Sequence, residues 1–526
     1  MKTLGWPRWS FGSGPAVGAA FSRAFALISL AAWLSLGAQV RVLLGSRGLL
    51  PLGELMDAVR AAGGVSIFEL PTVFWWFHGD AALFVVVALG VAASLAALAG
   101  WHPRLGFALS TALYLSFAVV GRDFLSFQWD NLLLECGLLA ALLPVDAPAP
   151  AVHFLFRLVL FKLYFESGLA KWQSPLDDWR DGSAMTYYYE TAPLPTWLGF
   201  YAHHLPIWWH HFESRATLFV ELVVPFAIFG PRRARLTAAV ALSIFQIANA
   251  ATANYGFFCY LAAALNLFLL DDADLQRARA RLARALTAAV RGWRARRPDA
   301  AGDPMPTPTE TPTTPTETPA TAAARADRRW LGRAAAALFV AVSLIDGLFH
   351  FTEPGRLLTL AGPIFELNER FRLVNSYHLF ASVTRERIEP ELQTLAAGQP
   401  VDQDADDRPG AWTAHDLWHK PGDPRRAPDF VAPHQPRVDF QLWFYGLAFR
   451  RREPAYLSAL VRRMCEDPAA VQPLFRSPLP PHPAAVRLVY WQYHFADRAE
   501  HRATGAWWTR QPLAASRAIP CAGPAS

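Results

Sequence analysis

The sequence predicts an all-α polytopic membrane bundle of about nine transmembrane helices, followed by a C-terminal extracytoplasmic domain of β-rich or α/β character. Three observations carry this prediction. Of the 526 residues, 53% are hydrophobic and only 17% charged, too apolar a balance for an ordinary soluble enzyme of this size. Nine windows reach or approach the roughly 20 apolar residues that a spanning helix needs. After about residue 351 the long apolar runs give way to short alternating patterns.

The first window, 21–43, follows a start without a small-residue cleavage motif and reads as a retained first helix. The others lie at 81–100, 105–121, 131–144, 152–170, 216–230, 236–252, 254–270 and 331–350, the fourth and sixth being short. Arg and Lys test this count, because they collect in cytoplasmic loops. Lys2 and Arg8, the "WHPR" loop ending at Arg104, "GPRRAR" ending at Arg235 and the Arg-rich tract beyond residue 275 all fall on one side. Loops 44–80, 122–130 and 171–215 then lie outside, with the tail; Arg47 and Arg60 in the first of these run against the rule.

The expected division is a bundle over 1–270 with an interfacial loop at 171–215, a cytoplasmic Arg-rich and Pro/Thr-rich linker over 271–330, a ninth helix at 331–351 and the outer domain at 352–526. In the linker, "PDAAGDPMPTPTETPTTPTETPATAAA" has nothing to bury and reads as disordered. In the tail, "VDFQLWF" (Val438 to Phe444) and "RLVYWQYHF" (Arg487 to Phe495) alternate like strands, while "AYLSALVRRM" reads as a helix.

The net charge of +6 comes from arginines at the ends of apolar runs, so it marks topology and no nucleic-acid partner is expected. The four cysteines, Cys136, Cys259, Cys465 and Cys521, form no CxxC motif, which excludes a zinc ribbon or a thioredoxin-type centre; whether Cys465 and Cys521 pair stays open. No nucleophile with its base and no phosphate-cradling glycine loop is recognisable. No cofactor or metal is expected.

Charges inside a bundle usually face its interior and find partners. Lys162 and Glu166 stand at i, i+4 and share a helix face, with Arg157 and Lys171 on the same span. In "FQWDNLLLECG", Asp130 is placed to cap a helix N-terminus, with Asn131 and Glu135 on one face. Structural pairing ranks above a ligand cavity for all of them. His203, His204, His210 and His211 invite a metal reading, but their spacing matches no established pattern. The aromatic stretch "YYYETAPLPTWLGFYAHHLPIWWHHFESR", including Trp208, fits better as an interfacial docking surface broken by prolines.

The run "FKLYFESGLAKWQSPLDDWRDGSAMTYYYETAPLPTWLGFYAHHLPIWWHHFESR", with "NYGFFCYLAAALNLFLLDD" and, in the tail, "FRLVNSYHLFASVTRERIEPELQ" and "KPGDPRRAPDFVAPHQPRVDFQLWF", closely resembles the lipase maturation factor family. The resemblance implies a polytopic membrane protein whose animal members reside in the endoplasmic reticulum and help secreted lipases fold and assemble into active dimers. It carries the family motif onto Trp179, Tyr188, Glu190, Thr191, Pro193, Pro195, Trp197, Tyr201 and His203 in the loop. In the tail it marks Asn375, Tyr377, Pro433, His434, Gln435, Pro436, Arg437, Asp439 and Trp443. The Pro/Thr linker and "TLAAGQPVDQDADDRPGAW" depart from the family pattern. Ala- and Arg-rich usage suggests a bacterial member in the inner membrane, its tail outside, its client a secreted protein such as a lipase. More distantly, the bundle resembles membrane enzymes similar to vitamin K-dependent carboxylase. That alternative, an enzyme acting on a lipid, quinone or peptide, would use Lys162, Glu166, Lys171 and His203 around a sealed polar cavity.

Overall fold

The computed structural model describes residues 14–295, 336–347, 357–399, 401, 411–447 and 453–521. The Pro/Thr stretch of the expected linker lies outside the described residues. Helix α1 (Pro15–Gly37) leads through the short α2 (Val40–Leu44) and α3 (Leu52–Ala62) to α4 (Asp80–Leu98), α5 (Pro103–Val120), α6 (Gln128–Leu142) and α7 (Pro150–Trp172). Small residues let these helices approach closely. A Cβ on Gly90 would fall 2.1 Å from the Trp33 ring. The Trp33 indole Nε1 donates to Ser110 Oγ at 2.8 Å, and Ser29 bridges Ser94 and Ser110 at 3.1 and 3.0 Å. Farther along, Phe156 and Phe268 stack with centroids 4.3 Å apart, and Phe21 packs tilted against both.

The expected interfacial loop contains α8 (Asp178–Asp181), α9 (Ala184–Thr191) and α10 (Trp197–His203), and runs into α11 (Ile207–Leu222). Next come α12 (Arg232–Thr252), α13 (Phe258–Leu265) and α14 (Asp272–Ala295). Asp272 serves as the N-terminal cap that α1 lacks within its own sequence, accepting from Ala16 N and Val17 N at 3.1 and 3.0 Å.

Among the described residues, four helices are long and apolar enough to cross a membrane: α1, α4, α5 and α12. The other expected spans fall short of that standard for local reasons. α7 is long but carries Arg157, Lys162, Glu166 and Lys171; α6 has 15 residues; α11 gives way to a 3-10 turn containing Pro225, and α13 to one beginning at Asn266. Helix α15 (Ala336–Gly347) is apolar and short.

After α16 (Leu357–Phe371), the tail forms an antiparallel sheet of order β2-β1-β3-β4, from β1 (Arg387–Leu395), β2 (Trp412–His415), β3 (Ala485–Phe495) and β4 (Trp508–Ala515), with β5 (Ile519–Pro520) on the start of β3. Glu391 faces Val489, and the β3–β4 register shifts between Tyr490 and Trp491. Helices α17 (Arg437–Gly446) and α18 (Ala455–Glu466) pack on β1 and β3. The "VDFQLWF" alternation is therefore not a strand. Arg437 through Leu442 are all buried, and a helix buried without a break over these residues shows no one-sided apolar stripe. A Cys465–Cys521 disulfide ties α18 to the residue after β5.

Candidate functional site at the junction of bundle and tail

The polar residues of α6 and α7 receive two segments of the tail. The first segment, Arg372–Phe380, runs without helix across the bundle helices, and many of its polar groups meet partners there. Backbone without helix, buried among helices, needs such partners. Arg372 Nη1 donates to Asn131 Oδ1 at 2.7 Å and Nη2 to the Ala118 carbonyl at 3.1 Å. Glu135 accepts from Asn375 N at 3.1 Å and from the Tyr377 hydroxyl at 2.6 Å, while Tyr377 N donates to Glu166 at 2.8 Å. Lys162 Nζ lies 3.4 Å from Glu135, so its carboxylate partner sits on the neighbouring helix instead of at i+4. The expected Lys162–Glu166 pair is corrected accordingly: Tyr377 N takes up Glu166. Lys171 pairs with Glu221 at 2.8 Å and donates to the Leu379 carbonyl at 2.7 Å; the Trp179 indole donates to the Phe380 carbonyl at 3.1 Å.

The second segment is the turn Pro433–Arg437. Gln435 N donates to Ser35 Oγ, Arg437 N to Gln39 Oε1 and Gln39 Nε2 to the Gln435 carbonyl, each at 2.8 Å. His434 Nδ1 meets Ser35 Oγ at 3.0 Å. Gly256, at φ +54°, is required here, since a Cβ would sit 2.5 Å from the Gln435 side chain. Arg437 then forks onto Asp130, Nη1 to Oδ2 at 2.9 Å and Nη2 to Oδ1 at 2.8 Å, both side chains 0% exposed. The Tyr114 hydroxyl donates to Asp130 at 2.6 Å and accepts from Arg437 at 3.0 Å. Asp130 is thus no helix cap: it lies inside the first turn of α6, whose N-cap is Phe127, and its side chain points to the tail.

The aromatic loop is likewise held from the tail. Buried Arg387 donates to the carbonyls of Glu190, Ala192 and Pro193 at 2.9, 2.5 and 3.0 Å and pairs with Glu389 at 2.6 Å. Glu190 accepts from Phe495 N at 2.7 Å, and His494 Nδ1 lies 3.0 Å from it. The Trp443 indole donates to the Thr191 carbonyl at 2.9 Å. Asn254 clamps both sides: its amide reaches the carbonyls of Leu194 and Asp429 while its oxygen accepts from Val431 N and Ala432 N. Tyr188 bonds the Tyr255 hydroxyl, and Pro195 forms a bridge to Ala253.

Most motif residues are therefore buried. Trp179, Tyr188, Glu190, Thr191, Pro193 and Pro195 lie inside the junction, as do Asn375, Tyr377, Gln435, Pro436, Arg437 and Asp439. Trp197, Tyr201 and Trp208 are 41, 42 and 63% exposed, and Ile207 and Phe212 join them. Trp197 packs edge-on against Phe430 of the tail. His203 is half-buried, 3.8 Å from Glu190, and burial pushes its pKa down to about 4. His210 turns to the His203 carbonyl and Glu213, so the two rings do not converge. A cavity of about 60 Å³ is lined by Lys171, Glu221, Tyr188, Tyr255 and Gln246; Lys162, Glu166 and His203 are not part of it. Arg387, Ser35, Gln39 and Asn254 escaped sequence reasoning, because single polar residues in apolar surroundings carry no pattern.

The same two-part build appears in comparisons with known proteins. The family model of the lipase maturation factor transmembrane domain matches residues 17–277, and that of the lipase maturation factor C-terminal domain matches residues 373–517. Lipase maturation factor 1 of Bos taurus is 30% identical over 516 residues, spanning 93% of this chain and 86% of the relative. The chain belongs to the lipase maturation factor family. Lipase maturation factor 2 of Homo sapiens is 30% identical over 591 residues, covering 93% of this chain and 80% of its own length. Human lipase maturation factor 1 is 28% identical, with 94 and 86% covered. No solved structure matches. In this family member, both tail segments that reach the bundle fall within or beside the matched C-terminal domain.

Proposed function

We propose that this protein is a membrane-embedded maturation factor that assists the folding and assembly of exported lipases or related secreted proteins. One observation carries the reading: a set of exposed apolar side chains, the aromatic Trp197, Tyr201, Trp208 and Phe212 with Ile207, sits on a loop whose centre is braced by Arg387, Asn254 and Trp443. Large exposed apolar patches on a rigid base mark interaction sites. Incompletely assembled client would bind this surface and leave when its own apolar surface is buried, since preferential affinity for one state is what shifts an equilibrium. The bundle crosses the membrane nine times with the tail on the extracytoplasmic side of a bacterial inner membrane. The arginine distribution supports that orientation, and so does the Cys465–Cys521 disulfide, since such bonds persist in oxidising compartments.

The test places a photoreactive side chain at Trp208 in native membranes and identifies what it captures, alongside Trp197→Ala and Trp208→Ala. Capture of an exported hydrolase, with both substitutions lowering the yield of active client but not the amount of inserted protein, is expected. Unchanged client yield in both variants overturns the proposal.

A further inference from the structure

Helix α15 packs on the bundle through Phe339 and Val342 and is hydrogen-bonded to it at its C-terminal end. There Ser376 Oγ donates to Asp346 at 2.5 Å, and a Cβ on Gly347 would lie 3.3 Å from Glu166. Toward Ala336 a cleft of about 800 Å³ separates the helix from α6 and α7, walled by Leu138, Leu142, Leu155, Phe339, Val342 and Val374. Its volume falls within the roughly 300–1,000 Å³ of ligand pockets.

The wall changes character where α5 and α7 begin. Arg104 and Pro144 line this cleft and also an adjoining pocket of about 540 Å³ that includes His102 and Asp146. Arg104 bonds protein through Nε alone, to the Ala141 carbonyl at 3.0 Å, which leaves both terminal nitrogens without a partner among the described residues. Asp146 shares the pocket, and no ion pair joins it to Arg104 among the described residues. A cation and an anion at the mouth of a long apolar slot match a headgroup that carries both charges.

We propose that this cleft binds one phospholipid with a zwitterionic amine headgroup, of the phosphatidylethanolamine class. The phosphate lies on the Arg104 fork, the ammonium donates to Asp146, and one acyl chain fills the space between α15 and the α6–α7 face. The lipid tail gains little from leaving the bilayer, which is as apolar as leucine. Its contribution is to restore the dispersion contacts an empty slot would forfeit. Selectivity therefore resides in the headgroup, where charge-assisted hydrogen bonds are strong and directional. A glycerol headgroup would satisfy Arg104 but offer Asp146 only neutral hydroxyl donors and no counter-charge; a choline headgroup offers Asp146 no N–H.

The test is native mass spectrometry of the full chain purified in mild detergent and titrated with phosphatidylethanolamine, phosphatidylglycerol or phosphatidylcholine. One molecule of phosphatidylethanolamine should be retained about tenfold more tightly than the other two. Arg104→Ala should remove that advantage, Asp146→Asn should shift the preference toward phosphatidylglycerol, and Leu155→Trp, which fills the slot, should abolish retention of the lipid. Equal retention by the parent and Arg104→Ala, or a parent preference for phosphatidylglycerol, overturns the proposal. Should the Arg104 variant fail to fold, the headgroup ranking of the parent and of Asp146→Asn decides alone.

Discussion

Replacing Asp130 by Asn tests whether the tail is an integral part of the bundle. The substitution keeps the shape of the side chain and removes the charge that Arg437 faces. Two charge-assisted hydrogen bonds of 2.8 and 2.9 Å are lost or weakened, and a guanidinium 0% exposed is left with the Phe124 carbonyl and the Tyr114 hydroxyl. Leaving one member of a buried pair uncompensated costs about 3–5 kcal/mol. In a Tyr114→Phe background, since the buried Tyr114 hydroxyl would otherwise lose both its partners, the double variant Asp130→Leu, Arg437→Met removes both charges and orphans chiefly the Phe124 carbonyl, which costs about 1–3 kcal/mol. The double variant should thus be more stable than Asp130→Asn alone. Denaturant titration of the purified full chain in detergent micelles, for the parent, Asp130→Leu, Arg437→Met and the double variant, followed by tryptophan fluorescence and by protease cleavage of the tail, gives the four corners of the cycle. A single variant as stable as the parent, or a double variant costing the sum of the two singles, refutes the reasoning.

Acidification should weaken the junction through two histidines. Burial holds His203 and His434 down at about 4, against 6.5 in the unfolded chain, so the stability they contribute is complete above pH 6.5 and is lost as the pH falls through 4. A shift of that size corresponds to about 3 kcal/mol per histidine, and His203→Gln with His434→Gln should flatten the stability profile between pH 6.5 and 4; an unchanged slope counts against the assignment. Opening the Cys465–Cys521 disulfide by Ser substitution at both positions should destabilise the tail by about 2–4 kcal/mol, since the bond closes a loop of 56 residues. The measurement is tail proteolysis under non-reducing conditions, and equal resistance in variant and parent contradicts it.

Composition and local pattern made the helical bundle and strand β3 legible, because hydropathy over 15–20 residues and strict alternation each reflect a local geometry. Alternation misled at Val438–Phe444, where the unbroken burial of Arg437 through Leu442 erased the helical period. Lys162 and Glu166 illustrate a second limit. Spacing at i, i+4 offers a contact, but whether it forms depends on what else arrives, and here Glu135 and Tyr377 N come from other parts of the chain. The pairing of Asp130 with Arg437 spans 307 residues, a distance over which no periodicity speaks. For the family-motif residues, the sequence marked positions without distinguishing the buried rack from the exposed aromatic face that it carries.

The two tail segments also impose an order on biogenesis. Asp130 and Glu135 are synthesised with α6, yet Tyr377 and Arg437, which neutralise or bond them, follow 242 and 307 residues later. Glu135 gains Lys162 early, but until the ribosome has passed Arg437 the nascent bundle holds in Asp130 a carboxylate whose counter-charge does not yet exist, an arrangement that apolar surroundings penalise. A chain broken off early therefore announces itself by unpaired charge inside the bundle, and only a finished polypeptide silences that signal.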